Sequence, residues 1–539
     1  MIIGVILAVA LAPQAEHAHR PAAQVRSTTS EVRQPDGVLR TSNLVLEVAQ
    51  RPTALRTGIG SAHDTAAAAS TQAQAFYDQG LAYLHSYVWI EAARSFNQAL
   101  RIDPALAIAH AGLSIAYTEL NAPEKARAAL DRARTLPAGE HDKTHIELRA
   151  LQTSAEAAPR DAAKLAAYRA ALDAALAALP QDEELWLQRG HAESSDPAER
   201  GQGSTAAAAR FYERALTMAP GHFAGHHYLA HAYENSGAIA QALAESATYA
   251  KMAPGVPHAR HMHGHNLRRT GRIDEAIAEF SAADALESAY LEAERIPVEY
   301  DWHYQHNLDL LAASYQYVGR MKKAEELLRR SFGIRSPLVV QEFNTRAWPL
   351  FLVARGRAQE ALEAAAAMAS HRSPVVSAAG HVAAGEAQLA LGRYQAAADE
   401  ANAALREVRG AEAGGLVAAP LQALQGEFFL RTGQRDKGRS MLREVAKKAR
   451  AAPGPDAWTQ ALFTLEAIAK AAREVGDWEL AAWTADEMRD HDPHYAGTHY
   501  ALMLVAEHNG DAQAARSERA LVEQYWKNAD PDLPELKKR

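Results

Sequence analysis

A set of mostly apolar positions, Gly80, Tyr83, Ala92, Phe96, Ala99 and Pro104, returns 34 residues later as Ser114, Tyr117, Ala126, Leu130 and Ala133, with Pro137 one place early. The pattern comes back at Tyr233, Ala242 and Pro254, and again at Gly264, Leu267, Ala276, Phe280 and Ala283. A period of this length is the mark of one supersecondary unit repeated along a chain. Short turns carry a helix-stopping glycine at Gly237, Gly271, Gly319, Gly392, Gly433, Gly476 and Gly510. Glycine closes a helix in the left-handed conformation, so each unit reads as two helices joined by a tight turn. One such hairpin cannot bury its apolar face alone, and neighbours must stack. The pattern therefore predicts an all-α, right-handed α-solenoid of about a dozen stacked hairpins over residues 71–526, with no sheet. Two stretches lengthen connections, Ser194–Ser204 and Leu286–Tyr304, and residues 141–182 are helical but off register, a degenerate repeat.

These positions resemble the tetratricopeptide repeat (TPR) family, whose signature runs from a large residue through Leu-Gly and Tyr to Ala, Phe, Ala and Pro. The resemblance implies that first helices line a concave groove that binds a protein or peptide partner. The segments around His226–Glu234 and His258–Asn266 also resemble uncharacterised bacterial TPR proteins with His-rich first helices, which implies no particular activity.

The ends read differently. Ile2 to Ala12 is apolar apart from Gly4, too short to span a bilayer and of the length of a signal-peptide core. No basic residue precedes it, and Pro13 follows the small-residue site Ala10-Leu11-Ala12. Residues 1–20 are read as a signal peptide, which predicts a periplasmic or secreted protein without a membrane span after processing; a cytoplasmic protein is the alternative. Residues 21–70 read as a mostly irregular linker with a short ordered piece around Leu44 to Val48, and residues 527–539 as a polar tail.

Composition narrows the chemistry. The net charge of −8, without a basic tail, argues against nucleic-acid binding. Aromatic residues make up only 7 % of an alanine-rich chain, which favours helices over strands. The absence of cysteine excludes disulfides, thiolate–zinc sites, iron–sulfur clusters and thiol nucleophiles.

Histidine is the unusual residue. Eight of the 24 lie between residues 222 and 265. On the first helix, His226, Leu229, Ala230 and Tyr233 occupy the repeat's core-facing places, and His227, His231 and Glu234 form a stripe beside them. Adding 34 to His227 and His231 gives His261 and His265, with His258 in the same stripe. His191, His306 and Asp309 extend the pattern outward, and Arg268 and Arg269 lie one turn on. The prediction is a His-lined groove in which His227, His231, His261 and His265 converge, with His258 and Glu234 at its border. Nitrogen donors with a carboxylate and no thiolate fit Zn²⁺, Cu²⁺, Ni²⁺ or Fe²⁺. A polar groove hydrogen-bonding an acidic peptide is the competing reading, favoured by Arg268 and Arg269. His226 and His263 read as packed, hydrogen-bonded histidines, His222 as a turn residue, and the pair His141 and His145 as a solvated face. The leading function is an exported scaffold with a partner in its groove and a metal at its His-rich centre. A metal-dependent enzyme with Glu234 or Asp309 as ligand or base, and an envelope metal carrier, stay open; no HExxH, P-loop or GxSxG motif occurs.

Overall fold

The computed structural model describes residues 46–336, 338–409, 415–452 and 455–537. The signal-peptide stretch and residues 21–45 lie outside them. The described residues form an all-α solenoid of stacked helical hairpins, and no strand occurs among them. They divide between Pro297 and Val298 into two compact units, each with six hairpins.

The N-terminal unit contains α1 (Thr71–His85), α2 (Trp89–Ile102), α3 (Ala107–Glu119), α4 (Pro123–Thr135), α5 (Glu140–Glu156), α6 (Ala162–Ala178), α7 (Glu183–His191), α8 (Ala206–Met218), α9 (Phe223–Asn235), α10 (Ile239–Met252), α11 (Pro257–Arg269) and α12 (Ile273–Glu294). Small residues set how closely paired helices approach. A Cβ at Gly80 would lie 2.4 Å from the Phe96 ring, and one at Gly190 would lie 2.2 Å from Tyr212. In ten of the twelve described hairpins the first helix ends on a residue of positive φ, glycine in eight cases from Gly237 (φ 79°) to Gly510 (φ 74°), whereas α5 and α7 end on Ala157 and Ala192 at negative φ. The turn then closes by the expected backbone bonds, as in Gly237 N to Glu234 O and Ala238 N to Tyr233 O.

A second regularity ties each hairpin together. A first-helix base and a glutamate 19 residues on are hydrogen-bonded at His226–Glu245 (2.6 Å), His381–Glu400 (2.7 Å) and His499–Glu518 (2.7 Å). Arg260–Glu279 repeats the spacing at 3.3 Å. His226 and His263 are therefore half-buried rim residues, His263 pairing with Glu279 at 3.3 Å.

The N-terminal unit closes on itself. Arg94 Nη1 donates to Glu294 Oε2 (2.7 Å), and Tyr290 Oη donates to Glu91 Oε1 (3.0 Å), so the last helix meets the first hairpin. Residues 46–49 form a helical turn, and the rest of 50–70 is irregular in backbone yet packed on the repeats. Gly255 N donates to Gly58 O at 2.7 Å, and Gly60, at φ 87°, sits against the Phe223 ring. Arg51 and Arg56 of this stretch both reach Glu294.

The lengthened connection at 286–304 is half helical: α12 runs on to Glu294, Arg295 ends it at φ 53°, and a 3-10 turn, Val298–Tyr300, precedes the next helix at Trp302. The C-terminal unit also brings its ends together. Trp526 Nε1 donates to Tyr317 O (3.0 Å) and Asp530 N to Gly319 O (3.0 Å), so the polar tail packs on that unit's first hairpin.

Candidate metal centre

The histidine stripes are buried. His227, His231 and His258 are 0 %, 5 % and 4 % exposed, and His261 and His265 are equally enclosed. The expectation of a stripe lining an open groove is thus corrected. The reason is tertiary: the α1–α2 turn folds over α9. Tyr87 lays its ring 4.8 Å from His227 and 5.0 Å from His258, and Tyr249 stacks on His227 at 4.6 Å.

Tyr87 stands where other hairpins place glycine, or Asn121 one repeat later, and has φ 60°. A bulky residue in the left-handed region costs roughly 1–2 kcal/mol. Strain of this kind persists only where surrounding contacts hold it. Those contacts are the histidine rings and the Arg200 carbonyl, which accepts from Tyr87 Oη at 2.9 Å. The inserted stretch after His191 thus serves to fix Tyr87. Its Gly201, at φ 108°, packs on the Tyr228 ring, where a Cβ would lie at 2.4 Å.

Three ring nitrogens converge. His227 Nδ1 lies 2.7 Å from the His85 carbonyl oxygen, which can only accept, so this nitrogen carries a proton. Burial, then the neighbouring His231, hold His227 well below its ordinary pKa, so the ring is neutral and its Nε2 presents a lone pair. That lone pair faces two nitrogens, His258 Nε2 at 3.0 Å and His231 Nε2 at 3.1 Å. A tetrahedral ion with bonds of about 2.0–2.1 Å sets its ligand nitrogens about 3.3 Å apart. The three imidazoles thus stand near the edge spacing of a metal's ligand set, with a backbone carbonyl fixing the orientation of one.

His261 and His265 form a separate pair, Nε2 to Nε2 2.7 Å, with the His258 and His261 rings 5.8 Å apart. The four predicted residues therefore sort into two adjoining sets, and His258, expected at the border, is a central member of the first. Glu234 is buried and lies 3.7 Å from His265 Nδ1 and 3.9 Å from Arg269 Nη1, so its charge is met on that side. Arg269 also donates to the Glu234 carbonyl, and Arg268 is buried, so neither stands one turn on as an open anion contact. His191 packs edge-on to Tyr228 at 4.5 Å, and burial holds it well below its ordinary pKa. His306 and Asp309 belong to the C-terminal unit, where Trp302 stacks on His306 (6.0 Å) and Ser331 Oγ donates to Asp309 (2.7 Å).

A third group adjoins the first through His85. Glu184 Oε1 lies 2.9 Å from His85 Nε2 and 3.0 Å from His222 Nε2, all three buried, and the Tyr228 hydroxyl bonds His85 Nδ1 at 2.8 Å. Burial raises the Glu184 carboxyl, but His85 and His222 pull it well below the usual range. His222 caps α9, as a turn residue should, yet its ring is buried in this group. The sequence reading passed over His85, Glu184 and Tyr87. The signal for Tyr87 was available, since the 34-residue comb aligns it with Asn121 and the turn glycines. None existed for Glu184, which only the meeting of its side chain with His222 at the head of α9 brings in.

No protein-family model matches the chain, and no curated protein matches it. Among solved structures, yeast Tom70 is similar at 12 % identity, over 78 % of this chain and 93 % of that one, with a TM-score of 0.37. The P58(IPK) TPR domain is similar at 11 % identity, over 85 % and 98 %, with a TM-score of 0.23. A human IFIT1 dimer with PPP-AAAA is similar at 11 % identity, over 94 % and 98 %, with a TM-score of 0.36. Scores this low carry no argument, and the TPR-like description rests on the hairpins themselves. No helix among the described residues is long and apolar enough to cross a membrane.

Proposed function

We propose that this chain is a TPR-like scaffold whose N-terminal unit is built round a buried transition-metal ion held by Nε2 of His227, His231 and His258. The observation that carries the reading is the single His227 lone pair faced by two further ring nitrogens at 3.0 and 3.1 Å. Hydrogen bonding alone serves that geometry poorly, because one acceptor would have to take two N–H groups. An ion accepts three lone pairs at once. An all-nitrogen set favours Zn²⁺, Cu²⁺, Ni²⁺ or Fe²⁺ over Mg²⁺ or Ca²⁺. The burial of all three histidines beneath Tyr87 supports a structural site over a metalloenzyme or an exchanging carrier.

The partner of the scaffold is a protein or peptide. A surface of the N-terminal unit offers suitable chemistry: Arg210 lies over the Phe211 ring at 4.5 Å and Arg214 over Trp186 at 5.7 Å, beside a buried Arg189 whose charge Asp173 and Glu193 already meet. Arginine and aromatic side chains are the residues that anchor protein interfaces, and this set suits an acidic peptide. Export to the periplasm or beyond belongs to the same proposal, supported by the apolar stretch 2–12. The test is metal content by mass spectrometry of untagged full-length protein from its native source, beside the His258→Gln variant. At least one equivalent in the wild type and one equivalent fewer in the variant are expected; metal-free wild-type protein overturns the reading.

A further inference from the structure

His141 and His145, which the sequence reading placed on a solvated face, meet carboxylates from two distant segments. His141 Nε2 lies 2.8 Å from Asp64 Oδ1 and 3.3 Å from Asp182 Oδ2, and His145 Nε2 lies 2.8 Å from the same Asp182 oxygen. The two histidines are four apart on α5, with ring centroids at 4.7 Å, an arrangement that presents two nitrogens to one ion. Asp64 comes from the irregular stretch before α1, and Asp182 is the residue capping α7.

Each of these four side chains has its other polar atom engaged outside the cluster. Asp142 Oδ1 lies 3.0 Å from His141 Nδ1, a carboxylate placed as one that orients a metal-ligating imidazole. Tyr77 Oη donates to Asp64 Oδ2 (3.0 Å), and Leu185 N donates to Asp182 Oδ1 (3.1 Å). His145 Nδ1 faces the Gln188 amide at 3.4 Å. Ligand atoms of Asp64, His141 and His145 lie within 4.8 Å of one another, and Asp182 Oδ2 lies within 3.3 Å of both imidazole Nε2 atoms. Asp64, Asp182 and His145 are nearly enclosed, while the edge of His141 is 28 % exposed and leaves a way in.

We propose that Asp64, His141, His145 and Asp182 form a second divalent-cation site, of the zinc type, that ties the stretch 50–70 to the repeats. Two imidazoles and two carboxylates are a standard donor number and type for tetrahedral zinc, with bonds of about 2.0–2.2 Å. Two carboxylates neutralise the ion's charge, which lowers the cost of enclosing it. This site shares no residue with the His227 centre, so each can fail alone.

The test uses the full-length chain stripped with chelator and titrated with Zn²⁺. Asp182→Asn keeps an acceptor for the Leu185 amide and removes the carboxylate; His141→Gln removes a nitrogen. Each should lose one equivalent relative to wild type and keep the equivalent that His258→Gln removes. Equal stoichiometry in wild type and both variants overturns the proposal. A measurement on wild-type protein needs no variant. Zn²⁺ should slow acylation of His141 by diethylpyrocarbonate at least tenfold, read on the His141 peptide, and an unchanged rate overturns the proposal.

Discussion

The hairpins α9–α10 and Pro374–Ala390 with Tyr394–Glu407 share one frame and bury different chemistry. His226 and His381 pair with Glu245 and Glu400, and Gly237 and Gly392 close the turns, so the two align position by position. Ala242 and Ala397 then coincide, both buried. Where the first hairpin carries His227, His231 and Glu234, the second carries Val382, Glu386 and Leu389. Val382 and Leu389 join Val375, Leu424 and Phe428 in an apolar core. The difference teaches that the frame does not require polar groups at the His227 and Glu234 places, where Val382 and Leu389 stand, while Glu386 keeps one at the His231 place. Two of the three places are apolar in the second hairpin, and a buried imbalance of polar groups is costly unless something satisfies it. The histidines are therefore there for what they hold.

The largest test of that contrast is His227→Ala. It opens a cavity and deprives the His85 carbonyl of its donor, at an expected cost of about 3 kcal/mol in urea unfolding. The neighbouring His226→Ala removes only a partly exposed hydrogen bond to Glu245 and should cost about 0.5–1 kcal/mol. Equal costs would break the comparison.

The shared frame is tested next. Ala276 and Ala397 occupy the same place in their hairpins, both fully packed. Ala276→Leu and Ala397→Leu should each overpack their helix pair by about 1–3 kcal/mol. An unchanged melting temperature in either would show that the register is wrong there.

The pH dependence should have opposite signs in the two hairpins. Burial, then His231, depress the His227 pKa, so the unfolded chain takes the proton first as pH falls. Stability of α9–α10 is full above the unfolded value near 6.5 and is lost below it. Burial, then Glu427, push Glu386 up to about 8, so the folded state holds a proton that the unfolded chain has released. Stability there is intact at pH near 4.5 and falls as pH rises towards about 8. Hydrogen-exchange protection, compared by helix at three pH values, reads both, and Glu386→Gln should flatten only the alkaline loss.

Only a small effect on stability is expected for Tyr87→Asn. Asparagine relieves the left-handed strain but uncovers the histidines, a net loss of about 1 kcal/mol. The informative readout is metal exchange, which should quicken at least tenfold against chelator; an unchanged rate would show that Tyr87 does not seal the centre.

The helical hairpins, their turns and the first-helix placement of the histidines were legible because they are local. Helical period fixes which residues share a face, and the turn needs a residue that tolerates positive φ. His227, His231, His258, His261 and His265 could be picked out as one stripe on that ground alone. Which way the stripe faced was not legible. The repeat signature marked His226 and Tyr233 as core, yet both are partly exposed rim residues bonded to Glu245 and Glu213, and the stripe beside them is buried.

The sequence by itself determined the repeat, the paired helices and the supply of imidazoles along one side of α9 and α11. Only the tertiary structure decided that the α1–α2 turn covers them, that His258 joins His227 and His231, and that Asp64 and Asp182 come to His141 and His145. Helix and turn formation depends on residues a few positions apart, whereas these meetings depend on the rotation accumulated over successive hairpins until the unit's last helix reaches its first. That rotation is the sum of many small packing contacts, and no single stretch of sequence carries it.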